Sequence, residues 1–492
     1  MTRKPLCMFR LFVLLLSVPV SGLNAQEQEV QRLVASMLGE TPLYDDLRTL
    51  TDEIGGRATG SAANLKSVEW GLQRFRDAGV EARKEAFVMP ALWLEESCTA
   101  RIHGDVSFVP KVVAMPFSTE SGPEGITATL SFGGHGSPED FANLGTRAKG
   151  TFVLIETPEL MDLAGLFREY NEAVGIESRA FAAGATGIVY MSSRPHGLLY
   201  RHNASRGRKN THPLLIMERE EAMRVARLLQ ERKDLKLTAV IKTNSGGSYE
   251  SYNLVGEIRG TEKPDEFVVI GAHLDSWDLG TGALDNGCNV GLVIDVARQI
   301  KKLGIKPKRT IRFALWNGEE QGLYGSWGYV VLHAGELDRH VMASSYDIGS
   351  GRIAGYFTGG RPVIAAAVDR ALESVAGLGP FAQVDAPIVG TDNYDFMMEG
   401  IANLVANQES ANYGPNYHAR SDTYDKVDLR QLKLNATVAA AVTWGFATME
   451  VTWKRQTRED IEQLIRKTDL KDQMMSFGVW EDWESGRRGR GE

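Results

Sequence analysis

Three short apolar runs in the second half of the chain predict buried strands. They lie at residues 267–270 (FVVI), 310–315 (TIRFAL) and 403–406 (NLVA). Short runs rich in β-branched and other apolar residues are typical of parallel strands that are covered on both faces. Residues 288–303 have the apolar spacing of a helix and lie between the first two runs, which gives a strand–helix–strand unit. We therefore predict an α/β fold built on a central sheet.

Residues 112–242 predict a second, smaller unit of strands and helices. Strand-like runs at 151–155, 187–191 and 235–241 accompany a helix pattern at 218–229. The unit has no acid/base cluster of the kind found later in the chain, so we do not expect it to carry out chemistry.

A basic loop at residues 194–212 lies inside this second unit. Its histidines, arginines and lysine are His196, His202, His212, Arg194, Arg201, Arg206, Arg208 and Lys209. The simpler interpretation is a solvated loop, because runs of charge usually face water. The alternative is a lid that helps to hold an anionic end of a substrate. The histidine spacing is too irregular to predict a metal site.

The bulk composition limits the class of protein. A chain of 492 residues predicts two or three domains, and a hydrophobic content of 43% is enough for ordinary cores. The formal net charge of -8 argues against a nucleic-acid-binding protein, which would normally have a basic face. Beyond the N-terminal region only Cys98 and Cys288 remain, so we expect two buried thiols, with a single disulfide as the alternative.

The two ends of the chain differ from the rest. Residues 1–25 have the pattern of a secretory signal peptide, with basic residues, an apolar run at 11–20 and cleavage expected after Ala25. The alternative interpretation is an uncleaved membrane anchor, but the apolar run is shorter than the ~20 residues of a membrane-spanning helix. We predict a secreted or periplasmic protein with no integral membrane segment after signal removal.

The charged residues 456–492 predict a mobile C-terminal tail.

His273 and Asp275 follow directly on the strand predicted at 267–272. Zinc binds imidazole and carboxylate groups, and a histidine ligand usually donates its other N–H to a second group that fixes its tautomer. Alternate residues of an extended segment point the same way, which suits a histidine ligand and its carboxylate partner. Taken alone, a His-x-Asp sequence is more often structural.

Asp285 lies in the glycine-rich segment 280–287, which opens the helix predicted at 288–303. The simplest interpretation of this residue is a helix N-cap. A phosphate-binding loop is disfavoured because no lysine follows and the glycine spacing is wrong. The functional interpretation is a carboxylate that places one oxygen on each of two metal ions.

Glu319 and Glu320 follow the strand predicted at 310–315. Two acidic residues at a helix start can simply complement the helix dipole. Hydrolysis with two metal ions instead needs one carboxylate as a ligand and another as the general base for a water molecule. Adjacent glutamates can fill both roles.

Asp347 and His418 complete a repeated pattern. Asp347 ends the strand-like segment 341–346, and His418 follows the run at 403–406. Four strand-like segments are thus each followed by a histidine or an acidic residue. Because sites in open α/β sheets form at the carboxyl ends of strands, we predict one site there that contains all of them.

These motifs together resemble the zinc aminopeptidase / glutamate carboxypeptidase superfamily, and within it the carboxypeptidase Q branch. They are His273-x-Asp275, Asp285-Asn286, residues 319–326, Asp347 and His418, with Glu95-Glu96-Ser97 and Gly390-Thr391-Asp392 in addition. The resemblance extends from about Tyr44 to Thr452. It implies a phosphorylase/hydrolase-like three-layer peptidase domain with a mixed central sheet, formed by residues 26–111 and 243–455. Residues 112–242 would be an inserted protease-associated domain.

The resemblance also implies a zinc-dependent exopeptidase that acts on small peptides or dipeptides with two zinc ions. The implied roles are His273 and Asp347 on one zinc ion, Glu320 and His418 on the other, Asp285 as the bridge, Glu319 as general base, Asp275 as the orienter of His273 and Tyr417 as oxyanion stabiliser. It further implies a cis peptide bond between Asp285 and Asn286.

Three alternatives share the fold: a zinc glutaminyl cyclase, a catalytically dead receptor-like binding protein, and a hydrolase of other amide bonds. The motifs leave open whether the amino or the carboxyl end of a peptide is recognised, and other divalent metals fit the same ligands. They also leave open whether the chain forms a homodimer.

Overall fold

A computed structural model describes residues 25–491 of the chain. The signal peptide predicted at residues 1–25 lies outside this range except for its last residue. Within the described range, no helix combines the length and the apolar character needed to cross a membrane.

The described residues form two seven-stranded sheets. Their strands in chain order are β1 (Glu81–Met89), β2 (Leu92–Gly104), β3 (Val112–Ala114), β4 (Ile126–Phe132), β5 (Thr151–Ile155), β6 (Gly187–Met191), β7 (Leu214–Met217), β8 (Leu235–Gly246), β9 (Tyr249–Ile258), β10 (Lys263–His273), β11 (Arg309–Trp316), β12 (His340–Ser345), β13 (Ile353–Phe357) and β14 (Asn403–Gln408).

Helices cover both sheets. In chain order they are α1 (Ala25–Leu38), α2 (Leu43–Arg48), α3 (Ala62–Asp77), α4 (Pro138–Leu144), α5 (Leu163–Ala182), α6 (Arg219–Gln230), α7 (Cys288–Leu303), α8 (Tyr324–Leu332), α9 (Pro362–Leu372), α10 (Asn393–Met398), α11 (Tyr413–Asn416), α12 (Leu429–Thr448), α13 (Arg458–Lys467), α14 (Leu470–Ser476) and α15 (Trp480–Glu484). Short 3-10 or π-helical segments lie at Thr49–Ile54, Gly145–Ala148, Gly207–Lys209, Ala283–Gly287, Ala334–Arg339, Glu373–Leu378 and Tyr424–Lys426.

The first sheet is the mixed central sheet that the sequence predicts. Its order is β1-β9-β11-β10-β12-β14-β13. Strands β10, β11, β12 and β14 run parallel, while β1, β9 and β13 pair antiparallel. The three predicted apolar runs lie in β10, β11 and β14, and the predicted helix coincides with α7. The α/β fold class is therefore confirmed.

Strand β10 shows why its run is apolar without alternation. Val268 and Ile270 point into a core shared with α1, α7, α9 and α12. Val269 points the other way, into a core shared with α8 and α10. Because successive side chains of a strand face opposite sides, both faces of β10 must be apolar when helices cover both. Cys288 at the start of α7 and Cys98 are both unpaired, so the alternative of a disulfide is wrong. The prediction of two buried thiols holds for Cys288, while Cys98 is half-buried.

The second sheet has the order β2-β8-β4-β5-β6-β7-β3 and spans residues 92–246. It begins earlier than the start predicted at residue 112, because β2 pairs antiparallel with β8 along its whole length. Alternate side chains of β2, Ala100 and Ile102, lie in the core of this sheet. We therefore place the beginning of the second unit at residue 92 and correct the predicted boundary.

Residues 456–491 form helices α13, α14 and α15 instead of the predicted mobile tail. Ile461 and Ile465 are one helical turn apart in α13, and both are buried in a core that includes residues of α10. Trp483 of α15 belongs to the same core. The charged residues that suggested a tail lie mostly on the outer faces of amphipathic helices, which is the usual arrangement for a surface helix.

Candidate active site

The loops that follow β10, β11, β12 and β14 meet at one edge of the central sheet. His273 is the last residue of β10, and Asp347 comes two residues after β12. Glu320 follows β11, and His418 lies beyond α11, after β14. The structure thus brings together the side chains that the strand pattern predicted to meet at the carboxyl ends of the parallel strands.

The first candidate metal group consists of His273, Asp285 and Asp347. Nε2 of His273 lies 2.9 Å from Oδ1 of Asp347 and 3.1 Å from Oδ1 of Asp285. All three side chains are buried. One ligand atom from each residue lies within 4.8 Å of the others, a spacing that a single ion can bridge.

The second candidate metal group consists of Asp285, Glu320 and His418. Nε2 of His418 lies 2.8 Å from Oε2 of Glu320 and 3.3 Å from Oδ2 of Asp285. Asp285 therefore belongs to both groups, and each of its oxygens faces a different histidine. This is the geometry expected of a bridging carboxylate.

The loop around Asp285 is shaped by a residue that the sequence analysis did not assign. The carboxylate of Asp422 accepts hydrogen bonds from the backbone N–H groups of Ala283, Leu284 and Asp285, at 3.1, 2.6 and 3.1 Å. The bond between Asp285 and Asn286 is cis, as the resemblance implies. The N-cap interpretation of Asp285 is wrong, because the cap of α7 is Gly287 and no side chain caps it. Asp422 follows His418 by four residues, and that proximity was the available signal.

Both candidate histidine ligands are oriented by backbone carbonyl groups. Nδ1 of His273 lies 3.0 Å from the carbonyl oxygen of Asp275, and Nδ1 of His418 lies 3.0 Å from that of Arg201. A carbonyl accepts a hydrogen bond, so Nδ1 carries a proton, and Nε2 is the ring nitrogen that remains to bind a metal ion. Arg201 lies in the second unit, far from His418 in sequence, so no local pattern could have shown this contact.

The predicted role of Asp275 changes in detail. Its backbone carbonyl, not its carboxylate, is the group within hydrogen-bond distance of His273, because the carboxylate is 3.7 Å from Nδ1. The carboxylate instead accepts from the Thr59 hydroxyl at 2.8 Å and from the backbone N–H of Glu319 at 3.4 Å. Asp275 therefore connects the loop of His273 to the loop of the two glutamates.

The charges of the cluster fit divalent cations. Burial lowers the pKa of His418, but the neighbouring Glu320 and Asp285 raise it to about 9. Burial favours a neutral Asp285, yet the two histidines hold the pKa of Asp285 below its ordinary value. Among residues 25–491, Oε1 of Glu320 has no hydrogen-bond donor. Buried carboxylates without donors are costly unless a cation balances them, and the nitrogen and oxygen donors are those that zinc accepts.

Glu319 belongs to neither metal group, although it is the neighbour of Glu320. It lines the cavity beside the cluster together with Tyr417. Burial raises the pKa of Glu319 well above its ordinary value, against the opposing effect of His273. The Tyr417 ring stacks on His418 with ring centres 3.6 Å apart, and its hydroxyl lies 3.2 Å from that of Tyr170.

A further carboxylate, Asp392, is buried close to the cluster. Neither of its oxygens has a hydrogen-bond donor among the described residues. Burial raises the pKa of Asp392 well above its ordinary value, and the nearby Asp347 raises it further, although His273 opposes this. Asp392 is part of the motif Gly390-Thr391-Asp392, to which the sequence analysis gave no chemical role.

A cavity of about 710 Å³ opens at the cluster. Its walls come from the glutamate loop, from residues 202–209 of the basic loop, and from residues 475–482 of the C-terminal helices. The solvated-loop interpretation holds only for part of the basic loop. Arg206, Arg208 and Lys209 are exposed, but Arg194, Arg201 and His202 are buried because they pair with carboxylates of other segments.

Comparisons with known proteins agree with this geometry. Residues 253–443 match the family model described as Peptidase family M28. Carboxypeptidase Q of Bos taurus is 26% identical over 419 residues, which cover 83% of this chain and 85% of that protein. Aminopeptidase YwaD of Bacillus subtilis is 27% identical over 311 residues, which cover 62% of this chain and 61% of that protein. The crystal structure of a peptidase M28 precursor from Shewanella amazonensis superposes with a TM-score of 0.79 at 26% identity, covering 88% of this chain and 99% of that chain.

The fold, the site and these matches define the class of the protein: it is a metallo-exopeptidase, a hydrolase of peptide bonds. The resemblance drawn from the motifs is confirmed: the chain is similar to carboxypeptidase Q and to a bacterial aminopeptidase, and residues 253–443 match the model of peptidase family M28.

Proposed function

We propose that the chain hydrolyses the terminal peptide bond of dipeptides or other small peptides with two zinc ions. The observation that carries this proposal is the position of Asp285. Its two oxygens face two different histidines, His273 and His418, so that one carboxylate is shared between two ligand groups. A single-metal site would have no use for this sharing.

The ligand atoms would divide between two ions in the way that the resemblance implies. His273 and Asp347 would hold one ion, His418 and Glu320 the other, and Asp285 both. When bound, the ions supply Lewis acidity, which polarises the peptide carbonyl and makes a nearby water molecule more acidic. The backbone carbonyls at Nδ1 keep each histidine in the tautomer that leaves Nε2 free.

Glu319 is the proposed general base. Its carboxylate lines the cavity next to the ligand Glu320 without entering either metal group. Burial raises the pKa of Glu319, and a raised pKa makes the carboxylate a better proton acceptor near neutral pH. In the proposed reaction Glu319 takes a proton from the attacking water and delivers it to the nitrogen of the leaving amine.

Tyr417 is the proposed stabiliser of the developing negative charge on the carbonyl oxygen. Its ring is held against His418, and its hydroxyl lies at the cavity wall beside that of Tyr170. A hydroxyl donor that is already in place when charge develops lowers the barrier to acyl transfer.

The size of the cavity supports a small substrate. A volume of about 710 Å³ falls within the ~300–1,000 Å³ that is usual for small-ligand sites. The C-terminal helices and the basic loop form two walls of the cavity, which favours a peptide terminus over a folded protein as the substrate.

An assay on dipeptides with free, amino-blocked and carboxyl-blocked ends tests the proposal. We expect release of free amino acids from at least one class with a free end, loss of activity with a chelator, and recovery on adding zinc. The pattern of blocked substrates identifies the recognised end. Cleavage that requires neither free end, or that persists in the fully chelated protein, would overturn the proposal.

A further inference from the structure

The basic loop makes a two-way backbone contact with the metal-ligand residue His418. The carbonyl oxygen of Arg201 lies 3.0 Å from Nδ1 of His418, and the backbone N–H of Arg201 donates to the carbonyl oxygen of His418 at 3.0 Å. Arg201 is 1% exposed. A residue of the second unit thus fixes both the ring and the backbone of His418, a candidate ligand that belongs to the unit of the central sheet.

The contact continues on either side of Arg201. Tyr200 forms an antiparallel bridge with Ala419, and the N–H of Arg420 donates to the carbonyl oxygen of Leu199 at 3.0 Å. The side chain of Asn203 donates to the carbonyl oxygen of Glu320 at 2.7 Å. We call residues 199–203 the strap. The strap therefore contacts the backbone of His418 and Glu320, which form the second metal group together with Asp285.

Ion pairs of the buried Arg201 side chain hold the strap in place. The Arg201 guanidinium donates to both oxygens of Asp278, each at 3.0 Å, and to Oε2 of Glu95 at 2.7 Å. It also donates to the carbonyl oxygen of Ala114 at 2.7 Å. Burial alone would lower the pKa of Arg201, but Asp278 and Glu95 raise it above its ordinary value, so the side chain stays charged. One side chain thereby joins β2, β3 and the loop that follows β10.

We propose that the strap is a structural part of the metal centre and that Arg201 is a positioning residue for the ion held by Glu320 and His418. The inference rests on the proposed two-metal function. It predicts an asymmetry, because the ring of His273 is oriented by Asp275 of its own unit and not by the strap. Loosening the strap should therefore weaken the binding of one of the two ions and leave the binding of the other unchanged.

The test is zinc binding by the full-length chain with Arg201→Met, measured by competition with a chromophoric chelator. Loss of a group that orients a ligand typically weakens metal binding about 10- to 100-fold. We expect this loss for one zinc equivalent, wild-type affinity for the other, and recovery of activity in excess zinc. The matched control is Arg219→Met, because Arg219 also joins backbone carbonyls of the second unit, those of Thr157 and Ser192, at 2.8 and 3.1 Å. The control should bind both ions as the wild type does.

A second variant keeps the test decisive if Arg201→Met does not fold. Asn203→Ala removes only the hydrogen bond to the Glu320 carbonyl, and it should weaken the same zinc equivalent by roughly 10-fold. The positioning role would be overturned if the strap variants bind both ions with wild-type affinity, or if they bind both ions equally more weakly. A wild-type chain that binds no zinc would instead overturn the proposed function.

Discussion

Replacing Arg488 by methionine tests whether the C-terminal segment is part of the folded peptidase unit. Arg488 is 2% exposed. Its guanidinium donates to both oxygens of Asp395, at 2.7 and 2.8 Å, and to the carbonyl oxygens of Gly322 and Leu323, each at 3.1 Å. Gly322 and Leu323 belong to the loop that carries Glu319 and Glu320, the two glutamates of the candidate active site.

The expected cost follows from what remains after the change. Asp395 is 1% exposed and, among the side chains that the structure describes, would keep only the Ser326 hydroxyl as a donor, at 2.8 Å. Removing one partner of a buried ion pair costs about 3–5 kcal/mol, because the other charge stays buried and unpaired. We expect the free energy of unfolding to fall by that amount and the peptidase activity to fall with it, since the glutamate loop loses two hydrogen bonds.

The adjacent arginine provides the control. Arg487 pairs with Asp482 at 2.6 Å, but 60% of its side chain is exposed, and exposed ion pairs contribute about 0–1 kcal/mol. Urea unfolding followed by tryptophan fluorescence compares the two variants in the same chain. If Arg488→Met lies within about 1 kcal/mol of Arg487→Met, the C-terminal segment is not packed as described and the reasoning fails.

Three further predictions concern protons and processing. Glu320 and Asp285 raise the pKa of His418 to about 9 against the effect of burial, and Asp347 and Glu319 raise the pKa of His273 well above its ordinary value against the same effect. Zinc binding at pH 7 should therefore release protons from these histidines; calorimetry in buffers of different ionisation enthalpy measures the release, and zero release would contradict the account. Burial lowers the pKa of His340 to about 3. Below about pH 6.5 the unfolded state therefore binds more protons than the folded state, so the free energy of unfolding should fall as the pH falls, by up to ~1.4 kcal/mol per pH unit. In His340→Gln the free energy of unfolding should depend less on pH between pH 4 and 7. The exported protein should begin at Gln26, which N-terminal sequencing of the mature chain can contradict.

The central sheet and the site were predictable because the relevant signals are local. The run at 267–270 is apolar on both faces, and each candidate ligand comes shortly after a strand or opens a helix. Asp285 is the clearest case, since the glycine-rich segment around it marked a tight loop next to α7. Such patterns need no knowledge of distant partners.

The features that the sequence analysis missed depend on distant partners. Strand β2 is mostly polar in sequence, and its place in the second sheet comes from pairing with β8, more than a hundred residues away. The sequence suggests that Arg201 and Arg488 are surface charges, because their carboxylate partners, Asp278 and Asp395, lie in other segments. Charge alone cannot distinguish a solvated arginine from one whose carboxylate partner arrives through the fold.

Metal stoichiometry and turnover, measured together in Glu319→Gln and Glu320→Gln, test the central claim most directly. The two residues are neighbours of identical type, but only Glu320 lies in a metal group. Glu319→Gln cannot accept a proton from water, so it should keep both ions and lose about 10²–10⁴-fold in turnover. Glu320→Gln removes an anionic ligand, so it should lose one ion and recover in part with excess zinc. If Glu319→Gln sheds metal, or if Glu320→Gln keeps both ions and is merely slow, the assignment of base and ligand is reversed.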